Sequence, residues 1–196
     1  MDDKKLVNNE LEQRLNIEKK KYEQTYEVSG YKMGKARMQH AKDIIRKWEP
    51  SSFIDVGCGR GEMLDEAKTL GMSPVKGIEI VQKLVDSRDD VISGHGASLP
   101  FSDREIDYVC MLDVVEHIPD EDIYEVFDEL ARVANKKILL CIANFSHKWK
   151  GMELHVNIKP YPEWDRILKE HFKGWEVIWH PKLRNISETW ELNRVG

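Results

Sequence analysis

Asp55, Gly57, Gly59 and Gly61 close the run Phe53-Ile54-Asp55-Val56-Gly57-Cys58-Gly59-Arg60-Gly61, where an apolar, β-type stretch ends in an acid and then in three glycines at alternate positions. Glycine costs conformational entropy and is kept where a side chain would block a close approach or where φ must be positive. The run therefore predicts a turn that lays bare backbone against a ligand, although a tight strand-to-helix turn would use the same residues. Glu62–Leu70 reads as a helix stopped by Gly71, so strand, turn and helix are contiguous. Eighteen residues beyond Gly61, a second apolar run, Val75–Ile80, carries Glu79 near its C-terminal end. In a βαβ unit an acid there faces the glycine loop and can accept hydrogen bonds from both hydroxyls of a ribose, and this agreement in spacing favours the ligand reading. A nicotinamide dinucleotide loop would want Gly-x-Gly-x-x-Gly, yet the sixth position counted from Gly57 is Glu62. That departure, with Asp55 two residues before the first glycine, points away from NAD.

Further along lie Gly94-His95-Gly96-Ala97-Ser98-Leu99-Pro100-Phe101 and the strand-like run Ile106–Ile118, which includes Leu112-Asp113-Val114-Val115-Glu116-His117. Taken in order, these segments resemble the class I S-adenosylmethionine-dependent methyltransferases, whose acid-x-Gly-x-Gly-x-Gly motif Asp55, Gly57, Gly59 and Gly61 match, and whose ribose-binding acid Glu79 matches. The likeness spans about residues 30 to 180. It implies S-adenosylmethionine as cofactor and S-adenosylhomocysteine as product. By resemblance, the Gly57–Gly61 turn with Cys58 would meet the methionine part, Glu79 the ribose and Ile80 the adenine; Ala97 and Ser98 would border the adenine, and Leu112 and Asp113 would lie near the methionine amine. An N-cap for the following turn is the alternative for Asp113. Two positions depart from the family pattern: His95 stands where an Asp usually meets the adenine amino group, and Ala134-Asn135-Lys136-Lys137 replaces a Pro-Gly-Gly turn before the fifth strand.

The reaction implied is an in-line displacement at a sulfonium methyl, which asks the protein mainly to align two reactants and exclude water. A hydroxyl acceptor would also need a base. His117 and His155 are the candidates, since imidazole titrates near neutral pH, with a packing role the alternative for each. Asn144, Phe145, Trp149 and Met152 offer an acceptor lining, and the region is loosely similar to the small-molecule O-methyltransferases of quinone biosynthesis. A small-molecule acceptor is expected. An RNA or protein acceptor, or a non-catalytic cofactor-binding module that pairs with a partner chain, is the alternative.

The 196-residue chain is long enough for one sizeable core and too short for two full domains of ordinary size. No segment approaches the ~20 apolar residues of a membrane span, the charged start lacks a signal-peptide core, and a cytoplasmic protein is expected. Cys58, Cys110 and Cys141 are odd in number and never form Cys-x-x-Cys, so reduced core thiols are expected rather than disulfides, and no metal site is read. Residues 1 to 47 carry a net charge of +4 and the remainder −9. An overall −5 disfavours a protein that grips nucleic acid through phosphates alone.

The elements that must position these residues follow from periodicity. Residues 5 to 28 are polar, with Leu6, Leu11, Leu15 and Tyr22 at broadly helical spacing, and predict an exposed helix broken by Ser29-Gly30. We divide the chain into a helical arm or lid, 1–34, and a cofactor-binding domain, 35–196. Tyr26 and Tyr31 suit a lid or a packing role equally. A second helix, about 35 to 48, buries Met38, Ala41, Ile44, Ile45 and Trp48. Strands are expected near 52–56, 74–80, 90–93, 107–112 and 136–142, with helices near 61–70, 81–88 and 120–133. A last helix near 162–172 and strands near 175–179 and 187–193 complete the pattern. This alternation implies an α/β chain with a mostly parallel sheet covered on both faces, which by the resemblance is a Rossmann-like three-layer sandwich. The resemblance implies a mostly parallel seven-stranded sheet in the order 3-2-1-4-5-7-6, strand seven antiparallel.

Overall fold

The computed structural model describes residues 3–28, 34–181 and 187–196, so Tyr31 lies outside the described residues. In chain order the elements are α1 (Asp3–Val28), α2 (Lys35–Ile45), β1 (Phe53–Val56), α3 (Glu62–Thr69), β2 (Val75–Glu79), α4 (Gln82–Val85), β3 (Val91–Ser93) and β4 (Ile106–Leu112). After β4 come α5 (Ile123–Val133), β5 (Ala134–Ala143), β6 (Lys148–Trp149), β7 (Met152–Glu153), α6 (Tyr161–His171), β8 (Trp175–His180) and β9 (Ser187–Arg194).

Seven strands form one sheet in the order β3-β2-β1-β4-β5-β9-β8. The first five pair in parallel, while β9 runs antiparallel to both β5 and β8. This is the expected order, with β8 and β9 as the sixth and seventh strands of the sheet. Parallel strands buried on both faces read as continuous apolar runs, and alternate residues then serve opposite layers. Along β5, Ile138, Leu140 and Ile142 join the core beneath α5 and α6, while Leu139 and Cys141 join the core beneath α2 and α3. Helix α5 presents Ile123, Val126, Phe127, Leu130 and Val133 at helical spacing, all buried.

Three boundaries differ from expectation. Helix α4 is a single turn, Gln82–Val85, rather than eight residues, and Arg88 beyond it pairs with Asp65 and Asp90. Helix α5 begins at Ile123, after Pro119, rather than at residue 120. Ala134–Lys137 makes no turn at all: α5 runs straight into β5, with a register shift between Ile106 and Tyr108 absorbing the change of direction. The hairpin β6–β7 was not anticipated; Lys150 and Gly151, with φ of 47° and 82°, supply the left-handed pair that a two-residue turn needs. No described helix is long and apolar enough to cross a membrane.

Candidate active site

Parallel strands deliver their carboxyl ends to one rim of the sheet, and the point between β1 and β4 is where strand order reverses. Gly57, Gly59 and Gly61 follow β1 at that rim with φ of 75°, 54° and 81°. A Cβ on Gly57 would lie 2.4 Å from Val114 Cγ2, so only glycine lets the turn pass this close to the segment after β4. Glu79, at the end of β2, holds the turn in place: its Oε2 accepts from Gly59 N at 2.8 Å and its Oε1 from Ile80 N and Val81 N at 2.9 and 3.0 Å. A carboxylate has about four acceptor positions. Three are filled, which leaves Oε2 capacity for one more donor without moving the loop. Burial raises the Glu79 pKa despite these three amides.

Two expected ligand residues turn inward. Cys58 is buried with its Sγ against Gly77, where a Cβ would come within 2.5 Å, so only its backbone faces the rim. Burial, reinforced by the charges of Asp55 and Glu79, raises its thiol pKa. Asp55 sits 3% exposed within β1, and burial followed by the Glu79 charge pushes its pKa up to about 8.

A cleft of about 730 Å³, open solvent at its mouth included, opens beside the ends of β1, β2 and β4. Gly57, Ile80, His95, Ala97, Val114 and His117 line it, over a floor of Val56, Ile78 and Met111. One wall comes from α1, whose Arg14, Glu18 and Tyr22 recur every four residues and so share one helical face. Arg14 pairs through Nε and a terminal nitrogen with both oxygens of Asp122, and Tyr22 Oη meets His117 Nδ1. Farther along the helix, Tyr26 Oη lies 3.2 Å from where a Gly59 Cβ would be. Helix α1 is thus no free-standing arm, and Thr25 is completely buried. The hydrophobic spacing did not announce this contact; the polar stripe at i, i+4, i+8 was the available signal.

Asp113, expected near a ligand or as a cap, makes no cap bond: the 3-10 turn Val115–His117 has no side-chain cap. Its carboxylate pairs with Arg37 from α2 at 2.6 Å and accepts from Cys141 Sγ at 3.4 Å. Leu112 and Ser98 do not line the cleft, though Ser98 bridges to His95, which does.

His117 and His155, distant in sequence, come together with ring centroids 4.7 Å apart, T-shaped. The connection is local to the backbone, since Val156 N and Asn157 N both donate to Glu116 O, at 2.9 and 3.0 Å. His117 Nδ1 lies 2.8 Å from Leu154 O and His155 Nδ1 bonds Phe145 O. A carbonyl only accepts, so His155 carries its proton on Nδ1, while His117 Nδ1 lies between the Leu154 carbonyl and the Tyr22 hydroxyl. Burial lowers both pKa values, that of His117 to about 3. Glu116, quoted above only as one residue of a run, is fully buried beside them, and burial with the Asp113 charge raises its pKa well above the usual range. One ligand-capable atom from each of Glu116, His117 and His155 lies within 4.8 Å of the others. An acid inside the otherwise apolar Val114–Ile118 stretch was the sequence signal for it.

A sheet of this order with a glycine turn after β1 and an acid ending β2 defines a Rossmann-like methyltransferase fold. Residues 54–142 match the family model described as a methyltransferase domain, which supports a place in the class I S-adenosylmethionine-dependent methyltransferase family. No curated protein matches the sequence. Among solved structures, the PH0226 protein from Pyrococcus horikoshii OT3 superposes with a TM-score of 0.68 at 17% identity, covering 87% of this chain and 98% of that one. Magnesium protoporphyrin IX methyltransferase from Synechocystis PCC 6803, with bound S-adenosylmethionine, gives 0.64 at 19% identity, covering 90% and 97%. The small RNA methyltransferase HEN1 gives 0.66 at 16% identity, covering 86% of this chain but 27% of that one.

Proposed function

We propose that the protein transfers the methyl group of S-adenosylmethionine to a small-molecule acceptor. The observation that carries this reading is the pairing of a glycine turn that admits no Cβ at Gly57 with a Glu79 carboxylate that retains one open acceptor position 2.8 Å from the Gly59 amide. The cofactor supplies an electrophilic methyl group whose departure discharges a sulfonium. The chain's part is to bind, orient and keep water out.

The residues present fit that cofactor. Ile80, Ala97 and Val114 form an apolar slot of the kind an adenine ring requires, with His95 at its border. Glu79 Oε2 would accept one ribose hydroxyl, and the Gly57–Gly61 backbone would carry the methionine portion. Cys58 contributes its main chain only, and Asp55 acts from behind the turn. Asp113 would share its charge between Arg37 and the cofactor's ammonium group. His117 lines the cleft and faces an incoming acceptor, but an imidazole with such low proton affinity hydrogen-bonds rather than takes up the proton of an ordinary hydroxyl.

A small acceptor is favoured because α1 covers the cleft. The positive charge at Arg14, which a nucleic-acid reading would recruit, is engaged by Asp122 instead. Calorimetric titration with S-adenosylmethionine tests the site: Glu79→Ala is expected to weaken binding more than tenfold, and an unchanged affinity would remove the basis for the assignment. Release of S-adenosylhomocysteine across a panel of small acceptors then separates an enzyme from a binding module, which would bind without turnover.

A further inference from the structure

We infer that Glu116, His117 and His155 form a binding site for a first-row divalent transition-metal ion, of the Zn²⁺, Co²⁺ or Mn²⁺ class. Two imidazoles and a carboxylate are a donor set these ions share. A metal about 2.0–2.2 Å from each donor holds donor atoms roughly 3–4 Å apart, so the observed 4.8 Å limit needs only small side-chain rotations.

Three independent features favour an ion over ordinary packing. The first is tautomer: the Phe145 carbonyl takes the Nδ1 proton of His155, which places the lone pair of that ring on Nε2, and His117 Nδ1 is likewise held on its own side by the Leu154 carbonyl and Tyr22. Ligating histidines are oriented this way, by a carbonyl or carboxylate on the nitrogen opposite the metal. The second is charge. Glu116 is 0% exposed, and neither carboxylate oxygen makes a well-formed hydrogen bond. Its near donors are the amides of Glu116 itself and Ala143, while the neighbouring guanidinium of Arg37 is already paired with Asp113. A carboxylate in such a place is costly unless a cation accompanies it. The third is construction: the two amides that bind Glu116 O bring His155 from 38 positions away onto a 3-10 turn that already carries His117. Tyr22 closes the outside through His117 Nδ1.

Resting on the methyl-transfer reading, the site further specifies the acceptor. His117 lines the same cleft, so an ion there would favour an acceptor whose reacting atom carries a lone pair, a hydroxyl or an amine rather than a carbon centre.

The test is calorimetric titration of chelator-stripped protein with Co²⁺ and Zn²⁺, with the visible absorption of bound Co²⁺ reporting nitrogen and oxygen ligation. Wild type is expected to bind one ion per chain, and Glu116→Gln and His155→Gln to bind tenfold to a hundredfold more weakly. Without metal, Glu116→Gln should melt no lower than wild type, since the amide matches the size of an acid whose oxygens make no well-formed hydrogen bond, which guards against a folding artefact. Added metal should raise the melting temperature of wild type alone. S-adenosylmethionine affinity is read on the same samples, so a failed metal site is distinguishable from a failed cofactor site. Absence of Co²⁺ binding by wild type, or equal binding by Glu116→Gln, would overturn the inference.

Discussion

Asp55 and Glu79 lie at neighbouring strand ends, are both nearly inaccessible, and meet opposite fates. Glu79 receives three backbone N–H groups, whereas Asp55 Oδ1 has no hydrogen-bond partner among the described residues. An acid whose folded pKa of about 8 exceeds its unfolded value binds more protons in the native state than in the unfolded state between those two values. Its contribution to stability is therefore fully present below the unfolded pKa of about 4, declines as pH rises toward 8, and levels off above that. Asp55→Asn should remove that decline: relative to wild type its urea midpoint should gain at pH 9 over pH 5, by the equivalent of about 4 kcal/mol. A constant difference across that range would mean that Asp55 is ionised in the fold. At this scale the sequence spoke clearly where backbone conformation is a local matter, as in the alternate glycines. It was silent on which way Cys58 turns, because the space beneath Gly77 that receives its sulfur is made by another strand.

Helix α1 is the element whose role changes most on folding. Its low hydrophobicity suits an exposed helix, yet it supplies a wall of the cleft through Arg14, Glu18 and Tyr22. The contacts are polar and partly exposed, and pairs of that kind contribute about 0–1 kcal/mol each. Such a helix can detach while the rest of the chain stays folded, which suits a lid. Combining Arg14→Ala with Tyr22→Phe should raise the cofactor dissociation rate severalfold, measured by stopped-flow displacement, while lowering global stability by no more than about 1–2 kcal/mol. Unchanged dissociation would make the helix a packing element only. Among the other elements, α2, α3, α5 and α6 follow from their apolar periodicity. The β6–β7 hairpin was missed because two-residue strands carry too few positions for alternation to register.

Across the whole molecule, two apolar layers clamp the sheet, and the site sits at the rim that both hold rigid. Phe127 of α5 is completely buried and packs on Phe172 just beyond α6, with ring centroids 5.5 Å apart. Phe127→Ala should cost about 3–5 kcal/mol in urea denaturation, and a loss below about 1 kcal/mol would show that the layer collapses around the gap. Strand positions, the glycine turn, the acid ending β2 and, by resemblance, the order of the sheet were legible from residue order, since each rests on steric preferences and periodicities that act over a few neighbouring residues. The seat of α1, the capture of three amides by Glu79, and the meeting of Glu116, His117 and His155 were decided only by tertiary packing. Those features depend on which distant groups share a buried volume, and it is exclusion of water from that volume, not the residue types alone, that sets their charge and so their chemistry.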